Sequence, residues 1–155
     1  MLSNPSKTIS ATRIATSVFF LLFGEYKLAG PAFAHGGFQT YLQSYISTDA
    51  VGFYRPLLAV VVQPHAIFFA YAVGVLESAI GLSLLFGLAV RPMSIIGALY
   101  MLHMTLCTWW EAGHGVPVWR YFGAELDHLP LLLLFLIFYA ANAGKVWGLD
   151  ARIPT

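Results

Sequence analysis

Four runs of the chain are apolar over the length that a membrane-spanning helix needs, which is roughly 20 residues at 1.5 Å per residue. They cover residues 11–29, 65–88, 92–110 and 129–146. Gly30 and Pro31 follow the first run, and Pro64 stands before the second, as Gly and Pro do at helix boundaries. The pattern predicts an all-α fold, a transmembrane four-helix bundle that forms a single domain over residues 1–155.

The segment between the first and second runs is too long for a turn and has a pattern of its own. Its apolar residues recur at intervals of three and four, at Phe38, Tyr41, Leu42, Tyr45 and Ile46. That is the period of a helix with one apolar stripe. We expect a short additional helix that lies in the membrane interface, followed by an apolar approach over residues 56–62 that is too short to span.

Composition supports a lipid environment. Of the 155 residues, 59% are hydrophobic and 10% charged, and the mean hydropathy is +0.74, whereas soluble domains are about 25% charged. The net charge of +1 and the lack of a basic run exclude a nucleic-acid surface. The single cysteine, Cys107, excludes an intrachain disulfide and CxxC redox chemistry.

Lysine and arginine predict the orientation, because they are enriched in cytoplasmic loops. With four spans, one side receives Lys7, Arg13, Arg91, Lys145 and Arg152, and the other receives Lys27, Arg55 and Arg120. We therefore expect both termini in the cytoplasm. An alternative at the N-terminus is a cleavable signal peptide that ends at residues 32–34. Cleavage there would expose His35 as a copper ligand, but Glu25 and Lys27 interrupt the apolar region.

Glu77 lies near the middle of the second span, where an ionisable group costs about 2.5 to 3.5 kcal/mol and so needs a reason. Small residues share its helix face, among them Gly74, Ser78 and Gly81. A neighbouring helix can approach that face closely and supply a hydrogen bond. We expect Glu77 to point into the bundle, either as a neutral acid that joins two helices, as a proton-handling group or as a ligand-binding group.

The first span carries a polar stripe at helical spacing, formed by Arg13, Thr16, Ser17, Phe20, Gly24 and Lys27. Arg13 and Lys27 flank the apolar stretch, and we expect both side chains to reach toward opposite headgroup layers. Glu25 lies off the stripe near the outer end, where Arg55 or His65 could pair with it.

The third span contains soft metal ligands. His103 and Cys107 are four residues apart and share a face, and Met101 and Met104 lie beside them. Imidazole, thiolate and thioether suit copper, and imidazole also holds haem iron. The alternatives are ordinary core packing and a hydrogen bond between His103 and Glu77.

The loop between the third and fourth spans is rich in aromatic, acidic and histidine residues. The aromatic residues are typical of an interfacial belt. The acidic and histidine residues are Glu111, His114, Glu125, Asp127 and His128. They are candidates for a metal site or a quinone-headgroup site, and an exposed polar loop is the alternative.

Three segments resemble the DoxX family of small four-helix membrane proteins. They are Arg13 with FLLFGEYKL up to Leu28, Glu77 with SAIGLSLLFGLAVRP, and NAGKVWGLDARI from Asn142. The spacing of Glu77, Gly81, Gly87 and Arg91 and the closing element at residues 144–150 carry most of the resemblance. The chain departs from the family in its longer aromatic segment over residues 34–62 and in Lys145, where arginine is usual.

The resemblance implies a bundle in a bacterial or archaeal inner membrane and an association with redox systems, because the related DoxD and DoxA proteins form a thiosulfate:quinone oxidoreductase. The first hypothesis is a structural subunit of a redox or respiratory complex that contributes to a quinone pocket. The alternatives are a stand-alone oxidoreductase or electron carrier with quinone or haem, and a membrane assembly chaperone. The cofactor-site candidates are Glu25, His65, Glu77, His103 and His128, and the weak metal candidates are His103, Cys107, His114 and His128.

Overall fold

Helices make up all the regular structure in the parts of the chain that the computed structural model describes, residues 5–109 and 128–153. The longer helices are α1 (Pro5–Leu28), α2 (Phe38–Ser44), α3 (Ala66–Phe86), α4 (Val90–Cys107) and α5 (His128–Ala140). Shorter helical turns cover Phe33–Gly37, Tyr45–Asp49, Arg55–Leu57, Leu58–Val62, Gln63–His65, Ala143–Lys145 and Leu149–Arg152. The predicted all-α class is confirmed, and α2 is the short helix predicted between the first two runs.

α1 and α3 pack against each other in antiparallel directions through small residues. A side chain at Gly24 would collide with Ser78, and one at Gly81 would lie 2.8 Å from Leu21. Gly74, farther back on α3, faces Leu28 at the end of α1. The glycines therefore allow the two backbones to approach closely, and the helix faces predicted from the sequence are the buried ones.

α4 and α5 form the second antiparallel pair, with the ring of Phe135 packed against Gly97. The two pairs meet in one hydrophobic core, in which the rings of Phe20 and Phe135 make an edge-to-face contact at 5.3 Å. Ile80, Leu84 and Phe138 are fully buried in the same core. The contacts between the two pairs therefore bring α1, α3, α4 and α5 around one hydrophobic core.

Two helical stretches of the described chain are long and apolar enough to cross a membrane, Arg55–Phe86 with 32 residues and Val90–Cys107 with 18. The first combines α3 with the turns that lead into it. α5 is apolar but has only 13 residues, and α1 carries buried polar groups that include Ser10 and Arg13. The two candidate spans match the second and third predicted runs, and the other two spans stay predictions.

α5 ends earlier than the apolar run from which it was predicted. The run extends to residue 146, but the helix stops at Ala140, and Asn142 adopts a left-handed conformation with φ +52°. Asn tolerates that conformation, which ends helices. Residues 142–153 then form a closing segment that folds back toward the starts of α1 and α4.

The closing segment is held by two charged side chains, those of Asp150 and the buried Arg13. The carboxylate of Asp150 accepts the backbone N–H groups of Ala89 at 2.7 Å and Val90 at 2.9 Å, so it caps the N-terminus of α4. Arg13 is fully buried and donates to the carbonyls of Leu84 and Trp147. The prediction that Arg13 reaches a headgroup layer is therefore wrong, because two of its guanidinium nitrogens donate to backbone carbonyls inside the protein.

Candidate functional site

A buried carboxylate stands at the centre of the candidate site. Glu77, with 3% of its surface exposed, projects from α3 toward α1 and α4. Lys27 Nζ donates to Glu77 Oε1 at 2.6 Å and Oε2 at 2.5 Å, and the Tyr100 hydroxyl donates to Oε1 at 2.7 Å. Three helices therefore contribute to one network, since Lys27 comes from α1 and Tyr100 from α4.

The network confirms that Glu77 points inward and corrects one expectation. Lys27 does not extend to a headgroup layer, because its ammonium group is within hydrogen-bond distance of both carboxylate oxygens. Glu77 also has a basic partner from another helix, which was not expected, since Lys27 forms an ion pair with it. Pairing and additional hydrogen bonds are what make a buried charge tolerable.

His103, one turn along α4 from Tyr100, belongs to a second polar group. Its Nδ1 lies 2.6 Å from the hydroxyl of Tyr54, and its Nε2 lies 3.7 Å from Cys107 Sγ. Burial raises the pKa of Tyr54, and the nearby Cys107 adds to the shift. Tyr54 therefore stays a neutral phenol; when it donates to Nδ1, the ring proton of His103 is on Nε2.

Tyr100 connects the two polar groups. Its hydroxyl bonds Glu77, and its ring lies roughly parallel to that of His103 with the centroids 6.5 Å apart. The sequence suggested a direct contact between Glu77 and His103, and the contacts in the structure instead run from one to the other through Tyr100.

Both polar groups face a cavity of about 390 Å³ between α1, α2 and α4, here called the aromatic cavity. Its polar wall is formed by Lys27, Tyr100, His103 and Cys107. Six other aromatic rings line it, those of Phe23, Tyr26, Phe33, Phe38, Tyr41 and Tyr45. Tyr26 and Tyr41 are 63% and 53% exposed, whereas Cys107 is buried. The cavity thus runs from an aromatic mouth to a closed inner end.

A smaller cavity of about 250 Å³ also borders the ion pair. Lys27 and Tyr100 line it as well, together with Glu77 and His128. The network of Lys27, Glu77 and Tyr100 consequently has access to two cavities, of which the aromatic one is larger.

The candidates from the sequence divide into three groups. Glu77, His103 and Cys107 lie together around the polar wall, and His128 lines the smaller cavity. Glu25 and His65 are exposed and line neither cavity. The remaining loop candidates, Glu111, His114, Glu125 and Asp127, lie outside the described residues.

Few side chains near the candidate site are placed to bind a metal ion. Within residues 5–109 and 128–153, no three His, Cys, Asp or Glu residues form a group suited to holding a metal ion. His103 Nε2 and Cys107 Sγ are close enough to act as a pair, and a soft metal prefers such donors.

Sequence reasoning missed Lys27, Tyr54 and Tyr100 as members of the site. Lys27 lies at a span end, where a headgroup contact is the ordinary expectation. Tyrosines are common in a chain with eight of them. The one available signal was the isolated charge of Glu77, which requires a basic or hydrogen-bonding partner.

The site lies within a segment that is similar to a known family. A sequence model of the DoxX family matches residues 8–110, which include most of α1, all of α3 and α4, and the polar wall of the aromatic cavity. No curated protein and no solved structure matches the chain. Because the family match covers well over half of the 155 residues, the chain belongs to the DoxX family, whose members are generally small membrane proteins.

Proposed function

We propose that this chain is a small subunit of a redox complex in the inner membrane and that the aromatic cavity binds the headgroup of a quinone. One observation carries the proposal: a cavity of about 390 Å³, lined by aromatic rings, has Lys27, Tyr100 and His103 on one wall. Ligand sites are typically apolar pockets of this size in which a few polar groups fix the orientation. A quinone is flat and lipophilic and offers only hydrogen-bond acceptors at its carbonyl oxygens.

Lys27 supplies the first donor. An ammonium group has three N–H donors, and the two oxygens of Glu77 engage two of them. The third is available to a ligand in the cavity that Lys27 lines. Glu77 holds the ammonium group in place and balances its charge, so a neutral carbonyl can be bound without burying an uncompensated cation.

His103 supplies the second donor. When Tyr54 donates to Nδ1, the N–H of the neutral ring is at Nε2, on the side of Cys107. His103 and Cys107 both line the cavity. Donors on different parts of the wall, Lys27 on α1 and His103 on α4, suit a ligand with two separated carbonyl oxygens.

The mouth of the cavity suits the hydrocarbon tail of such a ligand. Tyr26 and Tyr41 are exposed there, and rings of this kind are enriched where a protein meets the membrane interface. The headgroup would occupy the inner end, and the tail would extend past these rings into lipid.

The proposed subunit role follows because this chain offers groups that bind a quinone, whereas the electrons that reduce it must come from elsewhere. Lys27 and His103 bind and orient a carbonyl compound, but reducing a quinone requires two electrons and two protons. We assign the electron donor to a partner subunit. Four membrane crossings with cytoplasmic termini complete the proposal, supported by the distribution of lysine and arginine.

The test is a binding titration of the detergent-solubilised protein with a short-chain ubiquinone analogue, followed by quenching of intrinsic fluorescence. His103→Phe should weaken binding about 10-fold, as should Lys27→Met combined with Glu77→Gln, because each removes one donor to a carbonyl. The second change removes both charges and leaves no buried ion alone.

Matched controls change the same residue types outside the cavity. His65→Phe and the pair Lys7→Met with Glu25→Gln alter exposed residues that do not line it, so both should bind like the unaltered protein. Equal affinity in all five proteins would refute the assignment of the quinone to this cavity.

A further inference from the structure

A second candidate site lies at the other end of the bundle, in a cleft of about 200 Å³ between the first turn of α4 and the closing segment. Arg91, Asn142, Lys145 and Asp150 give the cleft its polar character, and Ile153 lies at its edge. The proposed quinone site does not use any of these residues.

The cleft presents two cationic groups, those of Arg91 and Lys145. Within the described residues, neither Arg91 nor Lys145 forms an ion pair with a carboxylate. Asp150 is nearby, but both of its carboxylate oxygens accept backbone N–H groups, from Ala89 and Val90. The side chains of the cleft therefore sum to a positive charge, with the one negative group already engaged.

Both cations are positioned and still have donors to offer. The guanidinium of Arg91 lies over the ring of Tyr139 with its carbon 4.8 Å from the centroid. Lys145 Nζ donates to the carbonyl of Ile153 at 2.8 Å, which leaves two of its three N–H groups. Asn142 adds a side-chain amide. Such a set of donors matches the oxygens of a phosphate group.

The surroundings of the cleft place it at a membrane surface. It adjoins the turn between Phe86 and Val90, which joins the two helical stretches that are long and apolar enough to cross a membrane. On the closing segment, Trp147 is 59% and Ile153 49% exposed. Exposed apolar side chains beside cations are typical of segments that contact the interface.

We infer that this cleft binds a phosphate group and that the headgroup of an acidic phospholipid is its source. Basic pockets at the ends of membrane helices bind such headgroups by charge and hydrogen bonding. Trp147 and Ile153 would lie against the acyl chains while Arg91 and Lys145 contact the phosphate. The inference stands apart from the quinone proposal and can hold if that proposal fails.

Native mass spectrometry of the full chain in mixed micelles of phosphatidylglycerol and phosphatidylcholine tests the inference. The unaltered protein should retain phosphatidylglycerol in preference to phosphatidylcholine. Arg91→Gln and Lys145→Gln should each lower that retention about 5-fold, because each removes one cation near a lipid phosphate. Lys7→Gln removes an exposed charge that does not line the cleft and should have no effect.

Two further measurements decide the source of the phosphate and guard against a folding defect. Inorganic phosphate added to the unaltered protein should not displace phosphatidylglycerol; displacement at equal concentration would assign the cleft to free phosphate and overturn the lipid assignment. Added sodium chloride should release the lipid from the unaltered protein, because salt screens charges at a surface. Retention that ignores salt, or equal retention of the two lipids, would also overturn it.

Discussion

Individual charged residues of this chain behave differently from the usual charges of membrane proteins. Arg13 and Lys27 lie where lysine and arginine commonly reach for headgroups, yet both turn inward. Arg13 donates to two backbone carbonyls, and Lys27 pairs with Glu77. In each case an internal partner replaces water and makes burial possible. Arg13 and Lys27 therefore connect α1 to other segments of the protein.

The ion pair gives a prediction at the scale of residues. Glu77→Gln should lower the free energy of unfolding by about 3 kcal/mol, because the ammonium of Lys27 loses its counter-charge in a largely buried position. Adding Lys27→Met should restore most of the loss, since neither charge then remains. Reversible unfolding of the detergent-solubilised protein measures both values. Equal losses in the single and double variants would contradict the predicted recovery, and with it the idea that an unpaired Lys27 causes the loss.

At the scale of helices, periodicity predicted which faces are buried but not how the helices align. The stripe from Arg13 to Gly24 on α1 and the face around Gly74 and Gly81 on α3 are both buried. Their alignment depends on the segment between the helices. Because that segment forms its own turns and α2, Leu28 at the end of α1 meets Gly74, well inside α3. The pairing of Lys27 with Glu77 could therefore not be deduced from spacing.

Close packing of α1 and α3 predicts a specific sensitivity. Gly81→Ala should destabilise the protein by about 1 to 3 kcal/mol, because the added methyl group would lie 2.8 Å from the side chain of Leu21 and 3.0 Å from its backbone nitrogen. Gly30→Ala is the matched control, since a methyl group there meets no atom within 4 Å. Thermal unfolding in detergent compares the two; equal melting temperatures would contradict this packing.

On the scale of the whole molecule, the two polar ends of the bundle are separated by an apolar middle. Arg13 and Lys27 mark these ends on α1 and lie about 21 Å apart along its axis. Between them lie Phe20 and the buried core residues of the other helices. One end has the closing segment and its cationic cleft, and the other has the aromatic cavity. This arrangement fits a protein whose ligand and lipid contacts occur at different depths of the membrane.

The sequence predicted the helical, membrane-like character of the molecule better than it predicted the residues of its candidate sites. Hydrophobic length and the scarcity of charge predicted membrane helices, and both follow from local composition. The two polar groups beside the aromatic cavity could not be predicted, because Tyr54, Tyr100 and Lys27 come from three separate segments that only the fold brings together. The role of Asp150 as the cap of α4 was equally hidden, since it depends on the return of the closing segment.

Photoaffinity labelling with an azido-quinone, mapped by peptide mass spectrometry on the membrane-bound protein, tests the central claim most directly. The account predicts labels within residues 23–28 of α1 and 100–107 of α4, which contain parts of the aromatic cavity wall, and loss of these labels when excess unlabelled quinone competes. Labels confined to the groove between α4 and α5 around Leu99, Leu102 and Leu136 would contradict it.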